Sequence, residues 1–189
     1  MEALDALLNR VSVPRLTEPA PNAAQREALF QAALRAPDHG QLRPWRFLTV
    51  EGEGREKLGA LLADAVKLEG EATEAALDKA RAMPLRAPLL VVVIARVQDH
   101  FKVPASEQLL AAGCAAHGIL LAAHAQGIGA VWRTGDLAYS KHVAKGLGLV
   151  DNEEIVAFLY LGTPLNEPRT APVLACPAML SGAARPAQG

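Results

Sequence analysis

Aromatic side chains are scarce in this 189-residue chain, at 4% of positions, and cysteine is scarcer, with only two. The first shortage excludes a core built on aromatic rings. With 51% hydrophobic residues, the interior is expected to be aliphatic, made from Ala, Leu and Val. The second excludes a disulfide framework, and Cys114 and Cys176 also lack metal-ligand spacing. They read as one small core residue and one tail thiol. A net charge of −1 leaves no electrostatic footprint for nucleic acid or an anionic membrane. No Gly-x-Ser-x-Gly elbow is present. His117 and His124 stand two helical turns apart, ~10.5 Å, too far to ligate one ion, so buried or capped histidines are expected. The Gly52-Glu53-Gly54 turn lacks a third glycine, and Glu51, Glu53 and Glu56 would repel phosphate, so it reads as a strand–turn–helix link. Gly127-Ile128-Gly129 and Gly146-Leu147-Gly148 also lack the rest of a nucleotide fingerprint. The segment Met1 to Arg10 has neither a basic nor an apolar signal region, which makes the cytoplasm the expected compartment.

What is there is a series of short amphipathic and apolar segments that suits one domain. A first helix is expected from about Glu2 to Arg10, with Leu4, Leu7, Leu8 and Val11 on one face. A loop marked by Pro14, Pro19 and Pro21 follows. Asn22 and Gln25 form a capping-box signature, opening a helix to about Arg35 that buries Leu29, Phe30, Ala33 and Leu34. A polar loop, Ala36 to Pro44, leads to a strand at Trp45–Val50. Helices over Arg55–Leu68 and Glu74–Ala82 precede the continuous run Leu89–Ala95, whose branching suits a central strand. Ser106 is the expected cap of a long apolar helix ending at Gln126, with Gly127 as its C′ residue. Leu109–Ala125 carries no formal charge but falls short of the roughly 20 apolar residues that span a bilayer. A strand at Ile128–Trp132, a helix from Ser140 to Leu147 and a strand at Ile155–Leu161 complete the pattern. Strict βαβ alternation is absent, so the expected fold class is α+β: a three-layer α/β/α sandwich around a mixed, mostly antiparallel sheet, with the long helix at its centre. A face of that helix left uncovered would suit a subunit interface, where Ala111, Ala112, Gly113 and Ala115 permit close approach.

If the chain is an enzyme, a cofactor is expected to carry the chemistry. The remaining candidates are cations in loops: Arg10 and Arg15 around Ser12, Arg35 and His39 at the next bend, and Arg133 after a buried strand. Arginine supplies a permanent charge and a planar donor fork, which a phosphate needs. Arg10 and Arg133, if they converge, would neutralise a monoester dianion.

Asn9-Arg10-Val11-Ser12-Val13-Pro14-Arg15 resembles the N-terminal Arg-Arg-Ser/Thr-x-Arg signature of the nitroreductase family. Arg35-Ala36-Pro37-Asp38-His39 with Gln41-Leu42-Arg43-Pro44-Trp45-Arg46-Phe47 resembles its Ala-Pro-Ser…Gln-Pro-Trp-Arg/Glu-Phe region. Ala125 to Gly135 is similar to an Ala-Gln-Gly-x-Gly-x-x-Trp-Arg-Ser/Thr-Gly block, and Leu161-Gly162-Thr163-Pro164 to the closing strand-end motif. The form with Ala-Pro-Asp-His is most like the short bacterial NAD(P)H nitroreductases. The blocks keep the family order across residues 1–164, leaving 165–189 as a Pro/Ala-rich tail.

The resemblance implies a homodimer with two FMN sites. Arg10, Val11 and Ser12 would contact FMN from one subunit, and Trp132, Arg133 and Thr134 would complete the phosphate and ribityl side. Arg35 and His39 would reach the flavin of the partner subunit. Ala122, Ala123, His124, Ala125, Gln126 and Gly127 would meet NADH or NADPH, although a helix C-terminus does not favour phosphate. Implied is a ping-pong reduction of nitroaromatic or quinone-type acceptors on the flavin, with no side chain as nucleophile. The alternatives are another reductive reaction on the same scaffold, such as dehalogenation or flavin breakdown, and a flavin-binding protein without turnover. Two departures stand out. Val11 replaces a usual Arg, so either a cationic contact is lost or only the backbone there matters, and Pro14 stiffens the loop.

Overall fold

The computed structural model describes residues 1–70 and 72–173. Helix α1, Ala3–Asn9, opens the chain and is followed by a two-residue strand β1, Leu16–Thr17. Next come α2 (Ala23–Ala33), β2 (Trp45–Glu51), α3 (Glu53–Glu69) and α4 (Glu74–Ala82). The second half holds β3 (Leu89–Arg96), α5 (Ala105–Ala125), β4 (Gly129–Arg133), α6 (Lys141–Gly146) and β5 (Glu153–Pro164).

The apolar run of β3 lies between β2 and β5, and β5 also pairs with β4 and β1. Every pairing among the described residues is antiparallel, which narrows the mixed sheet expected from sequence. Strand alternation sends Leu89, Val91, Val93 and Ala95 to one face, against Leu29 and Ala33 of α2 and the small residues of α5. Leu90, Val92 and Ile94 go to the other, against Leu58 and Leu62 of α3, Leu77 of α4 and Val143 of α6. The result is the three-layer α/β/α sandwich. A register shift between Val93 and Ile94 leaves Val156 unpaired in β5.

Local signals explain most boundaries. Asn22 and Gln25 make a reciprocal capping box at 2.9 Å each way. Gly127, at φ +72°, ends α5 in a Schellman motif: Ile128 N–H donates to Ala123 O and Gly127 N–H to His124 O. Four expectations need correction. Ser106 does not cap α5; Pro104 takes that position without a side-chain cap, and Ser106 falls in the first turn. Leu34 is exposed because it follows the last turn of α2, off the stripe that holds Leu29 and Ala33. Cys114 and His117 are exposed, not buried, because with Leu110 they occupy the α5 face turned away from both the sheet and α2. Cys176 lies outside the described residues.

Ala111, Ala112 and Ala115, expected on an uncovered face of α5, are instead buried in the core against the sheet and α2, and the exposed apolar side chains lie elsewhere. Helix α1 buries no residue, leaving Leu4, Leu7 and Leu8 in solvent, and Leu110 of α5 is 70% exposed. Helix α5 is the one described helix long and apolar enough to cross a membrane, and it is seated across the sheet as a core element.

Candidate functional site

After α1 the chain turns extended at Arg10 and is tied to the edge of β4, where Val13 N–H donates to Ala130 O at 2.9 Å. A second tie joins Leu165 N–H to Arg15 O at 3.0 Å. Val11 is buried, at 7% exposure, while Ser12 stays exposed. Arg10 and Val11 thereby line a cavity of about 190 Å³ with Leu120 and His124 of α5 and Gly127–Ala130. Gly129 belongs here for steric reasons: a Cβ would meet the Leu16 side chain, and Gly162 O at 3.2 Å. The Gly-x-Gly of this block therefore serves two structural ends, Gly127 the helix cap and Gly129 the strand packing.

His124 leaves one polar atom stranded. Its Nε2 is buried with no hydrogen-bond partner among the described residues. Three carbonyls of the neighbouring helix end are satisfied: Gln126 Nε2 donates to Ala122 O at 3.0 Å, and the Schellman bonds take those of Ala123 and His124. Of the segment expected to meet the nicotinamide nucleotide, Ala125 and Gly127 are exposed, Ala122, His124 and Gln126 are half-buried, and Ala123 is fully buried.

Alternation along β4 separates the next three candidates. Trp132 faces α5, packing near Gly113, whereas the Arg133 guanidinium lies 5.8 Å over the Tyr160 ring on the opposite sheet face. Burial raises the Tyr160 phenol pKa, partly offset by the charges of Arg86 and Arg133. Thr134 is exposed beyond the strand end. Arg10 lines the cavity on the α5 side of the sheet and the Arg133 guanidinium lies on the other, so the described chain does not by itself bring the two together.

Arg35 and His39 sit elsewhere, at the opposite end of α5. His39 Nδ1 is 2.7 Å from Glu107 Oε2 in the first turn of that helix, with both side chains about half exposed. Glu107 and His124 are 17 residues apart on α5, so the His39 end and the Arg10 end are separated by roughly 25 Å. Arg35 lines a larger cavity, about 550 Å³, with Leu34, Ala36, Asp38, Gln41, Arg43 and Trp45.

These findings coincide with the comparisons to known proteins. A sequence model of the Nitroreductase family matches residues 7–163. The chain belongs to the nitroreductase family. It is 46% identical over 164 residues to the Escherichia coli protein named "Putative NAD(P)H nitroreductase YdjA", covering 87% of this chain and 89% of that one. Among solved structures, the nitroreductase-like family protein from Bacillus cereus superposes with a TM-score of 0.81 at 24% identity, covering 96% of this chain and 95% of the other. An FMN- and NADPH-dependent nitroreductase, NfnB, from Sphigopyxis sp. strain HMH shares the fold with a TM-score of 0.75 at 17% identity, covering 97% and 99% of the two chains.

Within this nitroreductase, several residues that shape the site escaped sequence reasoning. Asp38 accepts from Leu42 N–H at 3.2 Å and Arg43 N–H at 2.7 Å, fixing the loop before β2. Gly40, Gln41 and Arg43 all have positive φ, at +77°, +52° and +48°. For the two non-glycines that conformation costs about 1–2 kcal/mol each. Buried Gln108 clamps the next loop, accepting from Gln98 N–H and donating to Gln98 O, both at 2.8 Å, and Gln98 in turn donates to Leu42 O at 2.7 Å. The Ala-Pro-Asp-His motif was the available signal for Asp38. Nothing local announced Gln108, whose partners come from another loop.

Proposed function

We propose that this nitroreductase is an FMN-dependent NAD(P)H oxidoreductase of the cytoplasm, reducing nitroaromatic or quinone-type acceptors by a ping-pong mechanism as a homodimer with two shared flavin sites. The observation that carries this reading is the seating of the Arg10-Val11-Ser12 arm on the edge of β4, where Arg10 and Val11 share a cavity with the His124 end of α5. The relatives' names support the cofactor and the donor.

The residues fit an FMN phosphate at the arm. Arg10 has no ionic or hydrogen-bonding partner among the described residues and brings a permanent charge. The stranded His124 Nε2 in the same cavity wall marks a buried donor or acceptor that a ligand could satisfy. Because the Val11 side chain is packed inside, only its backbone is offered to a ligand, which favours the second explanation for the missing Arg. Bound FMN would supply the hydride-accepting and hydride-donating centre. Arg10 and Ser12 would hold and orient it, and the wall of α5 would exclude water on one side.

The roughly 25 Å between the Arg10 and His39 ends of α5 supports sharing across a two-fold axis. Two α5 helices packed antiparallel through the Leu110–Cys114–His117 face would set each Arg10 end beside the partner's opposite end. The deciding experiment is anaerobic. Purified protein should carry FMN, NADH or NADPH should bleach it, and a quinone or nitroaromatic should restore its colour. Steady-state double-reciprocal plots should be parallel. A bound flavin that stays oxidised with both nucleotides would establish flavin binding without turnover instead.

A further inference from the structure

The 550 Å³ cavity before β2 has the size of a small-molecule site and an unusual lining. Two arginines, Arg35 and Arg43, border it, and neither has a side-chain hydrogen bond or ion pair among the described residues. The one acid present, Asp38, has both carboxylate oxygens turned to backbone N–H groups, one each from Leu42 and Arg43. Both oxygens are thus engaged by the loop, and the lining keeps a charge excess of one, two Arg against one Asp. Trp45, 8% exposed, forms an aromatic wall, and Gln41 adds an amide.

Arg43 is not in this place by default. Its left-handed backbone is held by the Asp38 carboxylate, by Trp45 N–H donating to Arg43 O at 2.7 Å, and by Gln98 donating to Leu42 O at 2.7 Å. A strained residue kept in position by three bonds, with a free charge at its tip, is a preorganised binding group.

We propose that this cavity receives the anionic group of a flat, carboxylate-bearing acceptor, and that Arg43 is the residue that selects it. A planar fork beside an aromatic wall suits an aryl carboxylate, which pairs with guanidinium in two parallel hydrogen bonds. The placement of the acceptor's reducible end rests on the flavin reading above; the recognition of its carboxylate does not.

The test compares 4-nitrobenzoate with its neutral methyl ester on the flavin-loaded protein. Binding is measured by calorimetry and by quenching of tryptophan fluorescence, and turnover by KM and kcat. Wild type should bind the acid at least tenfold more tightly than the ester. Arg43→Gln should lower the acid's affinity about 10- to 100-fold through KM, with kcat little changed and the ester's affinity moving less than twofold. Arg43→Lys should fall between the two. Arg43→Gly, which relaxes the left-handed backbone, should repeat the loss of the Gln variant if charge and not loop shape is responsible. Equal losses for acid and ester, or no preference in wild type, would overturn the proposal. A change in the NADPH-to-NADH KM ratio with the acid unaffected would also overturn it, by assigning Arg43 to the donor's phosphate. Acid binding that depends on Arg43 in a protein whose flavin is never reduced would uphold the recognition site and reject the oxidoreductase reading alone.

Discussion

At the first residue of β5, the Glu153 carboxylate is nearly buried, with 4% of its side chain exposed. Arg46 reaches it across β3 with two hydrogen bonds of 2.7 Å, and Arg96 stands 3.4 Å away. The Arg46 bonds hold the Glu153 pKa below the ordinary carboxylate value, against the opposing effect of burial; the Val150 N–H and the Arg96 charge add to the lowering. A lowered pKa in the folded state means stability that is complete above the ordinary value of about 4.3 and lost as pH falls through the folded value. Glu153→Gln should therefore cost about 1.5–3 kcal/mol at neutral pH, and the gap from wild type should close in acid; urea titrations at a series of pH values check both. This pair was invisible in the sequence, since its members are separated by more than a hundred positions and the Gln41–Phe47 motif that holds Arg46 says nothing of Glu153. Arg10 is the contrasting case, singled out by its motif alone. Arg10→Ala should weaken FMN binding by about 2–4 kcal/mol, roughly 30- to 1,000-fold, measured by flavin fluorescence titration. What the motif did not show was how the strand divides Trp132 from Arg133, because alternation acts on side chains that are adjacent in sequence.

Among the elements, α2 and α5 approach most tellingly at Gly118. A Cβ there would stand 2.9 Å from Ala32 O and 3.4 Å from Ala33 Cα, both backbone atoms that cannot step aside. Alanine would gain about 0.5–1 kcal/mol of helix propensity but overpack the contact by about 1–3 kcal/mol. Gly118→Ala should lower stability on balance, and Gly118→Val should lower it further, as thermal unfolding would show. Helix and strand identities were readable wherever local chemistry decides them. The Asn22–Gln25 box, the Gly127 cap, the Ser140 cap and the β3 run all appear where expected. Where partners decide, the sequence was silent. Strand β1 is two residues long in a proline-marked loop, and it is a strand only because residues 163 and 164 lie beside it. The rotation of α5 was also illegible, for a helix apolar nearly all round carries little periodic signal.

For the whole molecule, the exposed leucines of α1 and α5 predict a dimer that hides them. Light scattering at micromolar protein should give twice the chain mass. Leu110→Glu, placing a charge on the 70% exposed position, should yield monomers that lose FMN at least tenfold more readily, followed by filtration and retained flavin. A monomer that holds FMN as tightly as wild type would reject the shared site. The arrangement of the sheet also bears on how the chain is made. Three of the four other strands have β5 as a neighbour, and only the β2–β3 pairing closes without it. A ribosome delivers residues 153–164 after both α5 and the apolar β3 have emerged. Until then one edge of β3 is open, β4 has no strand beside it, and the arm that carries Arg10 lacks its anchor at residue 164. A nascent chain stalled before that point would display a sticky, half-built sheet to its surroundings, which makes β5 the step at which synthesis passes from a hazard for aggregation to a protected fold.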